Sequence, residues 1–458
     1  MIPFGLLGGF CDHLEIRITG LSEKGFSFRV PEKIEKAACL EICFFDFSAD
    51  CYRKVQLAEK EREMKLTEET PFFFIYSVWT KNGEYREQVK RLVTDYDNYI
   101  SLKLAGDDAY LSEKMVGYPA ELDEVYAESF EEQKKEWFSC VGDGIQECRN
   151  TWEHKKWNIT DFPEFELAIT IDRPELYYDF LQKDWTRFCH DYWKNNFLEH
   201  HTLSKKRVTR IYIGNQFCHN LFPRKELLFQ VLEKALENNL AVTLAFSYIR
   251  NHLLEEIDEL LQELEVWCQS REKEAGKDQE EIIVNDWAMP ILLQGKPHLK
   301  PVLGVLLNKR RKDVRLPCKH GIGNHVDSLA ENNLNCGFYQ DYLKNTFDIQ
   351  RFEFESCGYK VTIPDGHHSL HLPFFQTNTS QYCTLYAVCR YGDREKQKLP
   401  ENCPKYCEQK VFLYPKHLKM VGRYNSLFGY DEKILWDEKQ LQDYLEQGID
   451  RIVVNVSL

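Results

Sequence analysis

Over residues 1–130 apolar and polar positions alternate with the two-residue period of half-buried strands. Leu14-Glu-Ile-Arg-Ile-Thr is one such stretch and Gly25-Phe-Ser-Phe-Arg-Val another, with Ser22-Glu-Lys-Gly25 as the turn between them. Cys39 to Phe47 and Pro71 to Trp79 are more continuously apolar and predict two further strands. Residues 131–206 are polar and aromatic, and Leu176, Phe180, Leu181, Trp185, Phe188 and Tyr192 keep helical spacing behind Pro174. That segment reads as a helical connector, with Trp152, Trp157 and Trp193 as packing residues.

From 207 to 458 the period switches back and forth. Arg210–Gly214 predicts a strand, Arg224–Asn238 an amphipathic helix, Ala241–Phe246 a strand and His252–Ser270 a helix; further strands are expected at 281–284, 301–307, 351–355 and 451–456. Repeated βα units imply a parallel sheet, and six to eight of them favour a TIM-like α/β barrel over an open sheet. In such a barrel the functional loops lie beyond the carboxyl ends of the strands.

Composition narrows the function classes. A chain of 458 residues with 43% hydrophobic content supports two to three domains, and a net charge of −14 argues against non-specific binding of nucleic acid. No run of 18 apolar residues predicts a membrane span, and the start Met1-Ile-Pro-Phe-Gly lacks the basic segment of a signal peptide, so a cytoplasmic location is expected. In a reducing compartment the sixteen cysteines read as free thiols and metal ligands, not as a disulfide framework.

The cysteines carry the strongest chemical signal. Cys403 and Cys407 stand four apart in a polar loop, Cys389 lies fourteen residues before them, and Cys218 directly follows the strand at 210–214. Soft thiolates at this density suit an iron-sulfur cluster, or zinc as the alternative. The pair Cys39 and Cys43 has the same spacing but sits in an apolar run and reads as strand core. Asp286 and Glu355 end or follow strands and are the acid/base candidates, although Asp286 is equally placed to cap the next helix. Lys309-Arg310-Arg311-Lys312 with Arg315 reads either as a solvated charge run or as a grip on an anionic substrate, and His367, His368 and His371 as strand residues more than metal ligands.

The stretch Ile211-Tyr-Ile-Gly-Asn-Gln-Phe-Cys218, the strand ending Val284-Asn-Asp286, Leu306-Leu-Asn-Lys, Ser380-Gln-Tyr-Cys383 and the Cys-x13-Cys-x3-Cys end resemble the collagenase-like peptidase family, U-type number thirty-two, and within it the UbiU and UbiV members. The resemblance covers residues 207–458 and implies a bacterial protein with a [4Fe-4S] cluster on four cysteines. Cys218, Cys403 and Cys407 would be three of the ligands. The fourth is open between Cys383, matched by its Ser-x-x-Cys context, and Cys389, favoured by its spacing to Cys403; Cys318 is an outside candidate. It implies oxygen-independent hydroxylation of a small molecule or RNA, as enzyme or accessory subunit beside a homologous partner, or else the proteolysis of the family name. The N-terminal strands resemble the six-stranded PilZ domain, which binds cyclic di-GMP, but Gly20 stands where that motif has aspartate and only Arg17 is left of its arginine pair. The other reading is a non-enzymatic signalling or scaffold protein whose N-terminal domain senses such a nucleotide, and the missing arginines count against it.

Overall fold

The computed structural model describes residues 6–12, 14–34, 37–46, 51–70, 73–104, 162–275, 279–310, 312, 330–393, 396, 398–400, 402–413, 419–431, 433–435 and 437–456. They fall into two compact units. Trp152, Trp157, Arg311, Arg315 and Cys318 lie outside the described residues, as does 131–161 of the expected connector.

The alternating stretches of the first unit pair side by side. Strands β1 (Leu7–Cys11), β2 (Leu14–Ser22), β3 (Gly25–Val30), β4 (Leu40–Asp46), β5 (Cys51–Leu57), β6 (Arg62–Glu69) and β7 (Phe74–Thr80) form an antiparallel sheet in the order β5-β4-β1-β2-β3-β7-β6, seven strands where the PilZ resemblance implied six. The expected turn is present: Ser22 pairs with Gly25, and the Ser22 hydroxyl donates to the Gly25 carbonyl at 3.0 Å. Helix α1 (Gly83–Leu104) presents Tyr85, Val89 and Leu92 to the aromatic core of Phe26, Phe28, Phe44 and Tyr76. These residues follow the i, i+4, i+7 spacing of one helical face.

The second unit is built on eight parallel strands: β8 (Glu166–Ile171), β9 (Arg210–Ile213), β10 (Ala241–Ala245), β11 (Glu280–Val284), β12 (Leu299–Leu303), β13 (Glu353–Glu355), β14 (His368–Leu372) and, after an insertion, β19 (Ile449–Val454). Every pairing is parallel, and the order β12-β11-β10-β9-β8-β19-β14-β13 places strands adjacent in sequence, or flanking the insertion, beside one another. A parallel bridge between Leu303 and Phe352, with Leu303 N–H donating to the Arg351 carbonyl at 3.0 Å, brings the two edges together, so the barrel is nearly closed. Helices α2 (Pro174–Gln182), α3 (Trp185–Asn195), α4 (Lys225–Glu237), α5 (Leu254–Ala275), α6 (Met289–Leu292) and α7 (Gly337–Phe347) connect the strands.

The expected start at 207 needs correction. β8 lies between β9 and β19, so the barrel begins at Glu166, and α2 and α3 are its first crossover and not a connector. The helix expected over 175–198 breaks at Lys183–Asp184, where the Asp184 carboxylate caps α3 by accepting from Arg187 N–H at 2.9 Å.

Between β14 and β19 the chain leaves the barrel to form a four-stranded antiparallel sheet, in the order β15 (Phe374–Thr379), β18 (Ser426–Tyr430), β17 (Met420–Arg423) and β16 (Phe412–Leu413). It also carries α8 (Thr384–Tyr391); α9 (Glu438–Glu446) returns the chain to β19.

The barrel interior is charged at the amino-terminal end of its strands. Arg451 bonds Glu281 at 2.6 and 3.0 Å and Glu166 at 2.6 Å, and Arg210 bonds Glu166 at 3.0 Å. Above them lies a small layer of Ala168, Tyr212, Ala245, Ile283, Val302 and Val453.

Candidate metal centre and barrel mouth

The turn that sets Cys218 follows β9. Gly214 has φ +105°, and a Cβ there would meet the Ala245 carbonyl at 2.6 Å and the Phe222 ring at 2.7 Å, so glycine is required. Asn215 Oδ1 then accepts from the N–H groups of both Phe217 and Cys218 at 2.9 Å, and Phe217 packs edge-on against Phe428 at 4.8 Å.

The other cysteines come from the insertion. Cys383 is the N-cap of α8: its sulfur accepts from Tyr386 N–H at 3.3 Å and donates to the Tyr424 carbonyl at 3.0 Å. Tyr424 and Asn425 form the turn between β17 and β18, and Asn425 Nδ2 holds the Ser380 carbonyl at 2.6 Å. Cys407 is buried in a short 3-10 turn, Tyr406–Glu408, and its carbonyl accepts from Arg423 Nε at 2.9 Å. Cys403 lines a groove of about 1700 Å³ with His219, His252, Tyr248 and Lys405.

Cys218, Cys383, Cys403 and Cys407 lie within electrostatic reach of one another in every pairing. Burial pushes Cys218 up to about 11, with Cys403 adding to the shift and Arg250 opposing it. Burial likewise raises Cys383 to about 12, reinforced by Cys218 and Cys403, and raises Cys407 well above the ordinary range, with Arg423 acting against it. Three buried polar atoms in the same loops, Arg250 Nε, Tyr424 Oη and Asn425 Oδ1, have no hydrogen-bond partner. Four soft donors beside orphaned polar atoms and two guanidinium groups fit an anionic thiolate-bound group. Among the described residues no three or more His, Cys, Asp or Glu side chains are placed to hold a metal ion as they stand. Loading would draw the thiols inward as they lose their protons.

Cys389, favoured by spacing, is not in this set. Six residues along α8 from Cys383 rotate a side chain by about 240° and advance it about 9 Å, which turns Cys389 away. Among the described residues Lys410 is the charged group that acts on it, and burial raises its thiol. Spacing counts residues to Cys403 and takes no account of the helix that forms between Cys383 and Cys389.

The acid/base candidates separate as well. Asp286 accepts from Ala288 and Met289 N–H at 2.9 and 3.0 Å and from Ile249 N–H, so its carboxylate is spent on backbone in the turn before α6, whose N-cap is Ala288. Glu355 is buried at the barrel mouth, paired with Lys312 and accepting Gln376 N–H at 2.7 Å. It lines a cavity of about 30 Å³ with Thr170, Asp172, Gln216, His371 and Asn455. The basic run is accordingly not all solvated: Lys312 is 7% exposed, and Arg310 donates to the Glu355 carbonyl. The histidines do not converge. His367 is exposed against Asp450, His368 stacks on Phe352, and His371 bonds Glu353.

Sequence reading missed Asp172, Gln216 and the pairing of Glu353 with His371. The apolar run Glu166-Leu-Ala-Ile-Thr-Ile was the available signal for β8 and hence for Asp172 at its end. No protein-family model, no curated protein and no solved structure matches this chain. Among the described residues no helix is long and apolar enough to cross a membrane.

Proposed function

We propose that the second unit is a TIM-like barrel of the collagenase-like peptidase type that holds a [4Fe-4S] cluster on Cys218, Cys383, Cys403 and Cys407. The observation that carries this reading is the gathering of four buried or half-buried thiols, one from the barrel and three from its insertion. A cluster suits the site better than zinc, because its four thiolates bind separate irons and need less closure than four ligands on one ion. When bound, the cluster would supply one-electron transfer or a Lewis-acidic iron next to substrate. Cys403 would open it to the groove, where His219, His252 and Lys405 meet whatever enters. Oxygen-independent hydroxylation of a small molecule or RNA, alone or with a homologous partner, is the activity this arrangement serves.

Anaerobic purification followed by an absorption spectrum and iron, sulfide and zinc analysis tests the centre. The expected outcome is a brown protein with about four irons and four sulfides per chain. A colourless or zinc-loaded protein sinks the assignment. For the activity, RNA nucleosides and small-molecule extracts from anaerobic cells expressing the wild type or Cys403→Ala are compared by mass spectrometry for products that gain one oxygen atom.

A further inference from the structure

The barrel mouth holds a second arrangement, independent of the cysteines. Glu353, fully buried on β13, accepts from the Tyr212 hydroxyl at 3.1 and 3.3 Å, and its Oε2 lies 2.5 Å from His371 Nε2. Tyr212 meets the imidazole edge-on at 5.5 Å, and its hydroxyl also receives Arg451 at 3.2 Å. With Nε2 committed to a carboxylate, Nδ1 is the nitrogen left for the cavity that His371 lines beside Asp172 and Glu355. Asp172 Oδ1 is itself buried without a hydrogen-bond partner.

We propose that His371 is the proton acceptor of the barrel mouth, held in its tautomer by Glu353 and Tyr212, and that it acts on a water or on the hydroxyl tip of a substrate. A carboxylate on one imidazole nitrogen keeps the proton there and leaves the other lone pair free to work as a base. The O–H bond of the bound group breaks, its electron pair stays on oxygen, and a new N–H bond forms at Nδ1. Glu353, hydrogen-bonded at Nε2, steadies the imidazolium. A cavity of about 30 Å³ admits a water or a single small functional group, which sets the class of ligand. The groups facing the imidazole and its cavity are Glu353 from β13, Tyr212 from β9, Arg451 from β19 through the Tyr212 hydroxyl, and Asp172 and Glu355 at the mouth.

Hydrogen–deuterium exchange at the imidazole C2 position, read by mass spectrometry on the full chain, tests this without a substrate. That exchange requires the ring to take a second proton and solvent to reach it. His201 is the sealed reference, since its two nitrogens are bonded to Leu435 and Leu203, and exposed His367 is the open one. His371 is expected to exchange at least about tenfold faster than His201, and Glu353→Gln to slow it several-fold. Exchange as slow as His201 overturns the proposal in the wild type alone, whether or not the variant folds; so does a folded Glu353→Gln chain with unchanged exchange. Iron content plays no part in the measurement, so this inference and the cluster assignment stand or fall separately.

Discussion

At the scale of single residues, the cysteines show how a side chain's role depends on the backbone beneath it. Cys383 is a candidate ligand by its Ser-x-x-Cys context and Cys389 by its spacing, but one caps a helix and the other rides on it six residues later. Replacing Cys383 with alanine is therefore expected to bleach the anaerobically purified protein and remove most of its iron, while Cys389→Ala keeps both. A bleached Cys389→Ala beside a brown Cys383→Ala would reverse the assignment. Cys218, Cys403 and Cys407 were legible because each sits in a polar or strand-end context that the sequence displays. The fourth thiol of that gathering was not, because helix α8 is short and its eight residues carry little periodic signal.

At the scale of elements, polar residues at strand ends divide into those that tie loops together and those that face the mouth. Asp286 belongs to the first kind, since it joins the start of α6 to the loop after β10 through three backbone N–H groups. Asp286→Ala leaves those donors without their acceptor and is expected to lower stability by about 1–3 kcal/mol, measured by urea unfolding. Iron content per folded chain should be unchanged; loss of turnover without loss of stability would restore Asp286 as an acid/base residue. The strands themselves were readable wherever apolar runs were bounded by turns, as at β9, β10 and β11. β8 was passed over because the aromatic, helical residues after it dominate the pattern, although they turn out to be its crossover.

At the scale of the molecule, the barrel interior is held by a buried charge layer as well as by apolar packing. Burial pushes Glu281 up, but Arg210 and Arg451, with Arg351, outweigh it and hold the carboxyl at about 2. A depressed carboxyl stabilises the fold fully above its ordinary range near 4.5, and this contribution is lost as pH falls toward 2. Acid unfolding of the wild type should show that loss, and Glu281→Gln should flatten it. Arg451→Met, which removes the nearest cation from both Glu281 and Glu166, is expected to cost about 3–5 kcal/mol in urea unfolding at neutral pH; a neutral effect would mean the layer contributes little. The sequence by itself determined the two kinds of architecture, antiparallel then βα-repeating, because hydrophobic period is a local property written along the chain. It also singled out the thiols at 218, 403 and 407, which the tertiary structure brings together. Only the tertiary structure showed that Cys383 and not Cys389 lies with them, where the barrel begins, and that Tyr212, Glu353 and His371 share one buried network. Those are contacts between residues up to 159 positions apart (212 to 371), and closure of the sheet, not any local pattern, brings them together.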